Sequence, residues 1–176
     1  MFAVLQFLSF LYTIIMTSGT PNTVTELNVD NYLGRWYQVY GSPTNVIFQG
    51  YGKCITADYG LLPNGNVSVL NSQYENGKIE QISGYAYPTS QPGQLKVHLD
   101  GVLFDAPYWI YDLGEIRQNK YEWSIVSDPK FLSLFVLARD VEYFYENYDD
   151  DVRRILDSYG FTDYIYVSHD NCEYYH

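Results

Sequence analysis

The sequence predicts an all-β domain, one eight-stranded antiparallel up-and-down barrel with a single C-terminal α-helix packed on its outside. Three observations carry that expectation. Apolar alternation broken by turn residues recurs eight times along the chain, the pattern of antiparallel strands joined by short turns. Helical spacing of apolar residues is found once, near the C-terminus. Aromatic residues make up 18% of the 176 residues, 20 of them Tyr, and Tyr, Phe and Val suit pleated, half-buried surfaces. Eight such strands can close on themselves, which removes the sheet edges and leaves room for one small ligand.

The elements follow in order. Phe2 to Met16 is almost wholly apolar, interrupted by Gln6, Ser9 and Thr13, and no charged residue precedes Glu26. The run is short for a membrane span of about 20 residues. Small residues Thr17 to Thr20 follow it, so residues 1–19 read as a cleaved secretory signal, with an uncleaved anchor as the alternative. Residues 20–176 are then a single domain. The strand runs are Trp36–Tyr40, Cys54–Leu62, Val67–Gln73, Ile79–Tyr87, Leu95–Leu99, Tyr108–Leu113, Tyr121–Val126 and Phe131–Arg139. Pro63-Asn64-Gly65 separates the second from the third, and Asn76-Gly77 is a strong hairpin dipeptide before the fourth. The pattern then changes: Tyr148, Val152, Ile155, Leu156 and Tyr159 recur at helical spacing. Asp149 to Asp151 lie where the helix dipole favours negative charge, and Gly160 follows as a stop. A short strand, Tyr164–Val167, leads to Cys172.

The bulk properties narrow the function. The formal net charge is −11 and the sequence pI about 4.4. That argues against nucleic acid, which rewards clustered Lys and Arg, and against charge-driven docking on anionic membranes. Removing residues 1–19 leaves no Met and two Cys, Cys54 and Cys172. In an oxidising compartment that even pair reads as a disulfide, and closing so long a loop contributes roughly 4 kcal/mol by chain entropy. Asn66-Val67-Ser68 is an N-glycosylation sequon, which makes Asn66 a candidate acceptor.

Three segments resemble a known family. Asn28-Val29-Asp30-Asn31-Tyr32-Leu33-Gly34-Arg35-Trp36-Tyr37 resembles the first lipocalin signature with its Gly-x-Trp core. Tyr108-Trp109-Ile110-Tyr111-Asp112-Leu113 is similar to the second conserved segment, in the form of the apolipoprotein D and bacterial lipocalin branch. Phe135-Val136-Leu137-Ala138-Arg139 resembles the third, with its Arg. Order and spacing match from about Leu27 to Cys172. The resemblance implies a secreted carrier that holds a small apolar ligand, such as a fatty acid, lipid or sterol, and has no cofactor. It also implies a scaffold of Gly34, Trp36 and Arg139. Gly34 turns the chain into the first strand, Trp36 plugs the closed end, and Arg139 lies across the indole, a contact worth roughly 0.5–2 kcal/mol.

Strand alternation then assigns faces. In the family the strand-two cysteine bonds the C-terminal segment outside the barrel. Cys54 outward turns Ile55, Ala57 and Tyr59 in, and leaves Thr56 and Asp58 facing solvent. Arg139 inward brings Leu137 and Phe135 with it. The resemblance adds Tyr59, Asn71, Leu99, Tyr108 and Phe135 as pocket positions, the last replacing a pocket Trp of the apolipoprotein D relative. Asn71 brings in Val69 and Val67, while Leu99 brings in Val97 and Leu95 and puts Lys96 and His98 outside. The expected ligand wall is therefore Ala57, Tyr59, Val69, Asn71, Val97, Leu99, Tyr108, Phe135 and Leu137. The loop Ser42–Gly52 builds the mouth, where apolar Val46, Ile47 and Phe48 are either a lid or lipid-contact patch or simple loop packing.

Other chemistries find little support. Both thiols are consumed by the expected disulfide, so a lipocalin-type synthase lacks its nucleophile. The histidines are His98, His169 and His176, and a Ser-His-Asp site would need His98 inward. The tail from His169 to His176 holds scattered metal-ligand types but reads as solvated, so no metal site is expected. The alternative to a carrier is a protein-interaction module, with a filled barrel and loops that bind a partner.

Overall fold

The computed structural model describes residues 22–45 and 49–174. The expected signal segment, the Val46–Phe48 patch and His176 lie outside them. A short helix, α1 (Val29–Tyr32), precedes β1 (Gly34–Gly41). The chain continues through β2 (Lys53–Leu61), β3 (Val67–Glu75), β4 (Lys78–Pro88), β5 (Gln94–Leu99) and β6 (Ala106–Leu113). A two-stranded hairpin of β7 (Ile116–Arg117) and β8 (Lys120–Tyr121) leads to β9 (Trp123–Ser127) and β10 (Leu134–Ala138). Each barrel strand pairs antiparallel with its neighbours in the order β10-β9-β6-β5-β4-β3-β2-β1, and β1 pairs back onto β10. Eight strands thus form a closed barrel.

Local chemistry explains the joints. Glu75 pairs with Lys78 across Asn76-Gly77, and both turn residues have positive φ, 51° and 83°. That is the two-residue turn whose twist matches a right-handed hairpin. Gly34 enters β1 at φ +99°, a region an L side chain rarely adopts. Three register shifts kink the barrel, at Gln38/Tyr40, Lys53/Thr56 and Ile110/Asp112. Cys54, at φ 56°, sits in the second.

Several boundaries differ from expectation. The last barrel strand begins at Leu134, not Phe131. Phe131 has φ 56°, and the Asp128 carboxylate accepts from the backbone N–H of Lys130, Leu132 and Ser133, which holds this stretch as a turn. A helix not expected, α2 (Val141–Asn147), precedes the expected one, α3 (Asp149–Ser158), across Tyr148. Asp140 caps α2 by accepting from Tyr143 N–H, and Asp149–Asp151 occupy the first turn of α3. Both helices cover the outside of the barrel. Phe144, Val152 and Leu156 pack with Val39, Ile125, Leu134 and Val136, all essentially inaccessible. Burying each such side chain contributes about 1.5–3 kcal/mol.

The C-terminal segment straps the outer face. A final strand, β11 (Ile165–Tyr166), pairs with β1. Ser168 C=O accepts from Cys54 N–H, and Gln38 C=O accepts from His169 Nε2. Cys54 and Cys172 are joined by a disulfide across 118 residues. Thr56 is outward but not solvated as expected: it is 5% exposed, because the strap around Glu173 and Tyr174 covers it. Asp58 lies outside as well, in a two-pronged ion pair with Arg35. Replacing Cys54 and Cys172 together by Ser should lower stability by about 4 kcal/mol. A lower urea midpoint for the double variant, matched by the wild type in reductant, is the result to look for.

Candidate functional site

The barrel interior is the candidate site. Its base is closed by α1 and by Trp36, which is wholly inaccessible. Trp36 Nε1 donates to Tyr32 C=O at 2.8 Å. The Arg139 guanidinium lies 3.6 Å from the centre of the Trp36 ring. Its N–H groups donate to the carbonyls of Asn31, Tyr32, Arg35 and Tyr121. Burial lowers the Arg139 pKa to about 10, so it stays charged at neutral pH. One side chain from β10's end thereby ties together α1, β1 and β8.

Above this base the strands present an apolar wall. Register aligns inward residues in tiers: Ala57, Asn71 and Ile82; Tyr59, Val69, Gly84 and Leu99; Val67, Ala86, Val97 and Ala106. At Gly84 an added Cβ would meet the His98 carbonyl oxygen at 2.0 Å, so only Gly lets β4 and β5 approach there. Leu95 pairs with Tyr108, and Phe135 and Leu137 enter from β10. All nine residues of the expected ligand wall thus share the inner face. Ala57, Val69 and Leu137 are buried and form its floor. Tyr59, Asn71, Val97, Leu99, Tyr108 and Phe135 remain half-buried although they lie inside a closed barrel. The Asn71 carboxamide meets no partner among the described residues.

Deep in the interior four hydroxyls form a line. Ser124 Oγ lies 3.0 Å from Tyr32 Oη. Tyr32 Oη is 2.8 Å from Tyr108 Oη, which is 3.1 Å from Tyr59 Oη. The Tyr32 and Tyr59 rings stack at 5.9 Å. Burial pushes the Tyr32 hydroxyl up to about 12, and raises Tyr59 and Tyr108 well above the usual phenol range. Phenols held neutral in this way offer hydrogen bonds but no negative charge.

Tyr32 and Ser124 were not expected in the site. Tyr32 belongs to α1, where strand alternation gives no direction. Ser124 alternates with inward Val126 on β9, so the pattern of that strand could have found it. His98 lies outside as expected, bound through Nδ1 to Asp105. Among the described residues no three His, Cys, Asp or Glu groups are placed to hold a metal ion. The cleft beneath the C-terminal strap, lined by Cys54, Thr56, Tyr74, Ile79 and Glu173 among others, holds about 30 Å³. That is room for about one water molecule.

Comparison with known proteins fits this geometry. The family model for a lipocalin-like domain matches residues 27–166. Temperature-induced lipocalin-1 of Arabidopsis thaliana is 31% identical over 144 residues, covering 76% of this chain and 74% of that protein. The outer membrane lipoprotein Blc of Vibrio cholerae is 32% identical over 128 residues, 69% of this chain and 71% of its own. Apolipoprotein D of Rattus norvegicus is 38% identical over 94 residues, 52% of this chain. The match spans about half the length of the apolipoprotein D relatives, 48% for the rat protein. The crystal structure of the cockroach allergens Per a 4 superimposes with a TM-score of 0.57 at 16% identity, covering 86% of this chain and 94% of that one. At that identity the likeness concerns the fold alone.

Proposed function

The chain belongs to the lipocalin family, and on that premise we propose that it is an extracellular carrier of a small apolar molecule held inside the barrel. One observation carries the reading. Val97, Leu99, Tyr59, Tyr108 and Phe135 face inward yet remain half-accessible, whereas the residues packed beneath the helices are sealed. A lining of that kind, apolar with a few polar groups, is what a small-ligand pocket uses. Covering about 300 Å² of apolar ligand surface would contribute on the order of 7 kcal/mol before ordering costs.

On this reading Tyr59, Asn71, Val97, Leu99, Tyr108 and Phe135 are the contacting wall, and Ala57, Val69 and Leu137 the floor. Binding is by burial and release by dissociation. The disulfide between Cys54 and Cys172 suits an oxidising, secretory route, and Asn66 in the β2–β3 turn is the proposed glycan acceptor. Among the described residues no helix is long and apolar enough to cross a membrane.

Organic extraction of the secreted protein, with native mass spectrometry before and after, tests the carrier role. A discrete bound mass that extraction removes is expected, as is displacement of fluorescent fatty-acid or sterol probes by it. Val97→Phe should weaken probe binding more than tenfold by filling the hollow, while costing only about 1–3 kcal/mol of stability from overpacking. An empty barrel that ignores every probe would end the carrier reading.

A further inference from the structure

The line of hydroxyls has a direction, set by counting protons. Ser124, Tyr32, Tyr108 and Tyr59 bring four O–H groups, and the line contains three hydrogen bonds. One proton is therefore left over, on one of the four oxygens. Ser124 is wholly inaccessible, and its hydroxyl has one partner among the described residues, Tyr32 Oη. A buried hydroxyl left without an acceptor is costly, so Ser124 donates to Tyr32. Tyr32, 6% exposed, donates to Tyr108 for the same reason. The spare proton therefore emerges at the Tyr108–Tyr59 end of the line, where both side chains are half-accessible on the inner face.

A site with one free donor discriminates between ligand heads. A carboxylate stripped of water needs several donors or a cation. The cation at the base, Arg139, already donates to four backbone carbonyls. A ketone or ester oxygen, by contrast, is satisfied by a single donor. We propose that the barrel selects uncharged, carbonyl-bearing apolar molecules over carboxylates of the same chain length, through one hydrogen bond donated from the Tyr59–Tyr108 pair of hydroxyls. This inference rests on the carrier reading and narrows it to a chemical class. The neutral state of the three phenols, held up by burial, keeps the line intact and donating.

The test uses the full-length protein and four probes of matched chain, namely dodecane, dodecan-2-one, methyl laurate and dodecanoate. Each competes against a neutral solvatochromic dye at about pH 8, where dodecanoate is ionised. The ketone and ester should bind at least about tenfold tighter than dodecanoate, and a Tyr59→Phe/Tyr108→Phe double variant should weaken the ketone about five- to tenfold more than it weakens dodecane. The carbonyl stretch of isotopically labelled dodecan-2-one should sit at lower frequency in the wild type than in the double variant, a shift that a purely packing role would not produce. Dodecanoate binding as tightly as the ketone, or a double variant with unchanged ketone affinity and carbonyl frequency, would overturn the proposal. Failure of all four probes, dodecane included, would remove the carrier reading and this inference together.

Discussion

Between pH 10 and about 12 the fold is expected to lose stability steeply as pH rises. Tyr32, Tyr59 and Tyr108 contribute, since burial raises each phenol above its ordinary value near 10, Tyr32 to about 12, and burial raises Tyr40, Tyr111, Tyr145, Tyr148, Tyr159 and Tyr174 as well. The unfolded chain ionises these groups first, so above pH 10 it holds fewer protons than the folded one. Stability is therefore fully present below the unfolded value and is lost as pH climbs towards the folded one. Each group contributes a slope of up to about 1.4 kcal/mol per unit. Against a total of about 5–15 kcal/mol, two pH units are enough to approach unfolding. Urea denaturation at several pH values, with phenolate absorbance followed in parallel, provides the measurement. Tyr108→Phe should reduce the slope, and a flat profile across this window would show that these phenols are not buried as described.

Trp36→Ala should cost about 3–5 kcal/mol from the lost burial and the cavity left behind. The indole is wholly inaccessible, donates to Tyr32 C=O and supports the Arg139 guanidinium at 3.6 Å. Losing the last contact adds roughly 0.5–2 kcal/mol. Trp36→Phe keeps an aromatic face under the cation but forfeits the N–H bond, and should fall between wild type and Ala. Far-UV circular dichroism during urea denaturation reads the series without relying on tryptophan emission. An Ala variant within about 1 kcal/mol of wild type would mean that the base of the barrel is held by other contacts.

Much of this architecture was legible because β structure writes itself with period two. Alternation around Arg139 and Leu99 aimed Phe135, Leu137, Val97 and Leu95 inward, and Asn76-Gly77 marked its hairpin through turn chemistry alone. What escaped was set by tertiary docking. Thr56 is on the outer face, but the strap around Tyr174 covers it, and nothing in the local pattern of β2 announces a segment more than a hundred residues away. The acidic run at Asp149–Asp151 marks the start of α3, whereas α2 starts at the single capping residue Asp140, a weaker signal although Val141, Phe144, Tyr145 and Tyr148 keep helical spacing. Tyr32 lies just outside the strands, where no periodicity directs it, and its place in the line of hydroxyls follows from how α1 folds under the barrel.

The seam between β1 and β10 joins Tyr37 to Ala138. During synthesis the first strand therefore waits for a partner about a hundred residues downstream, on the order of 5–20 s at ordinary ribosome speeds. Until then the nascent chain carries two unsatisfied strand edges and an uncovered apolar lining, the state in which newly made β proteins most need escorting.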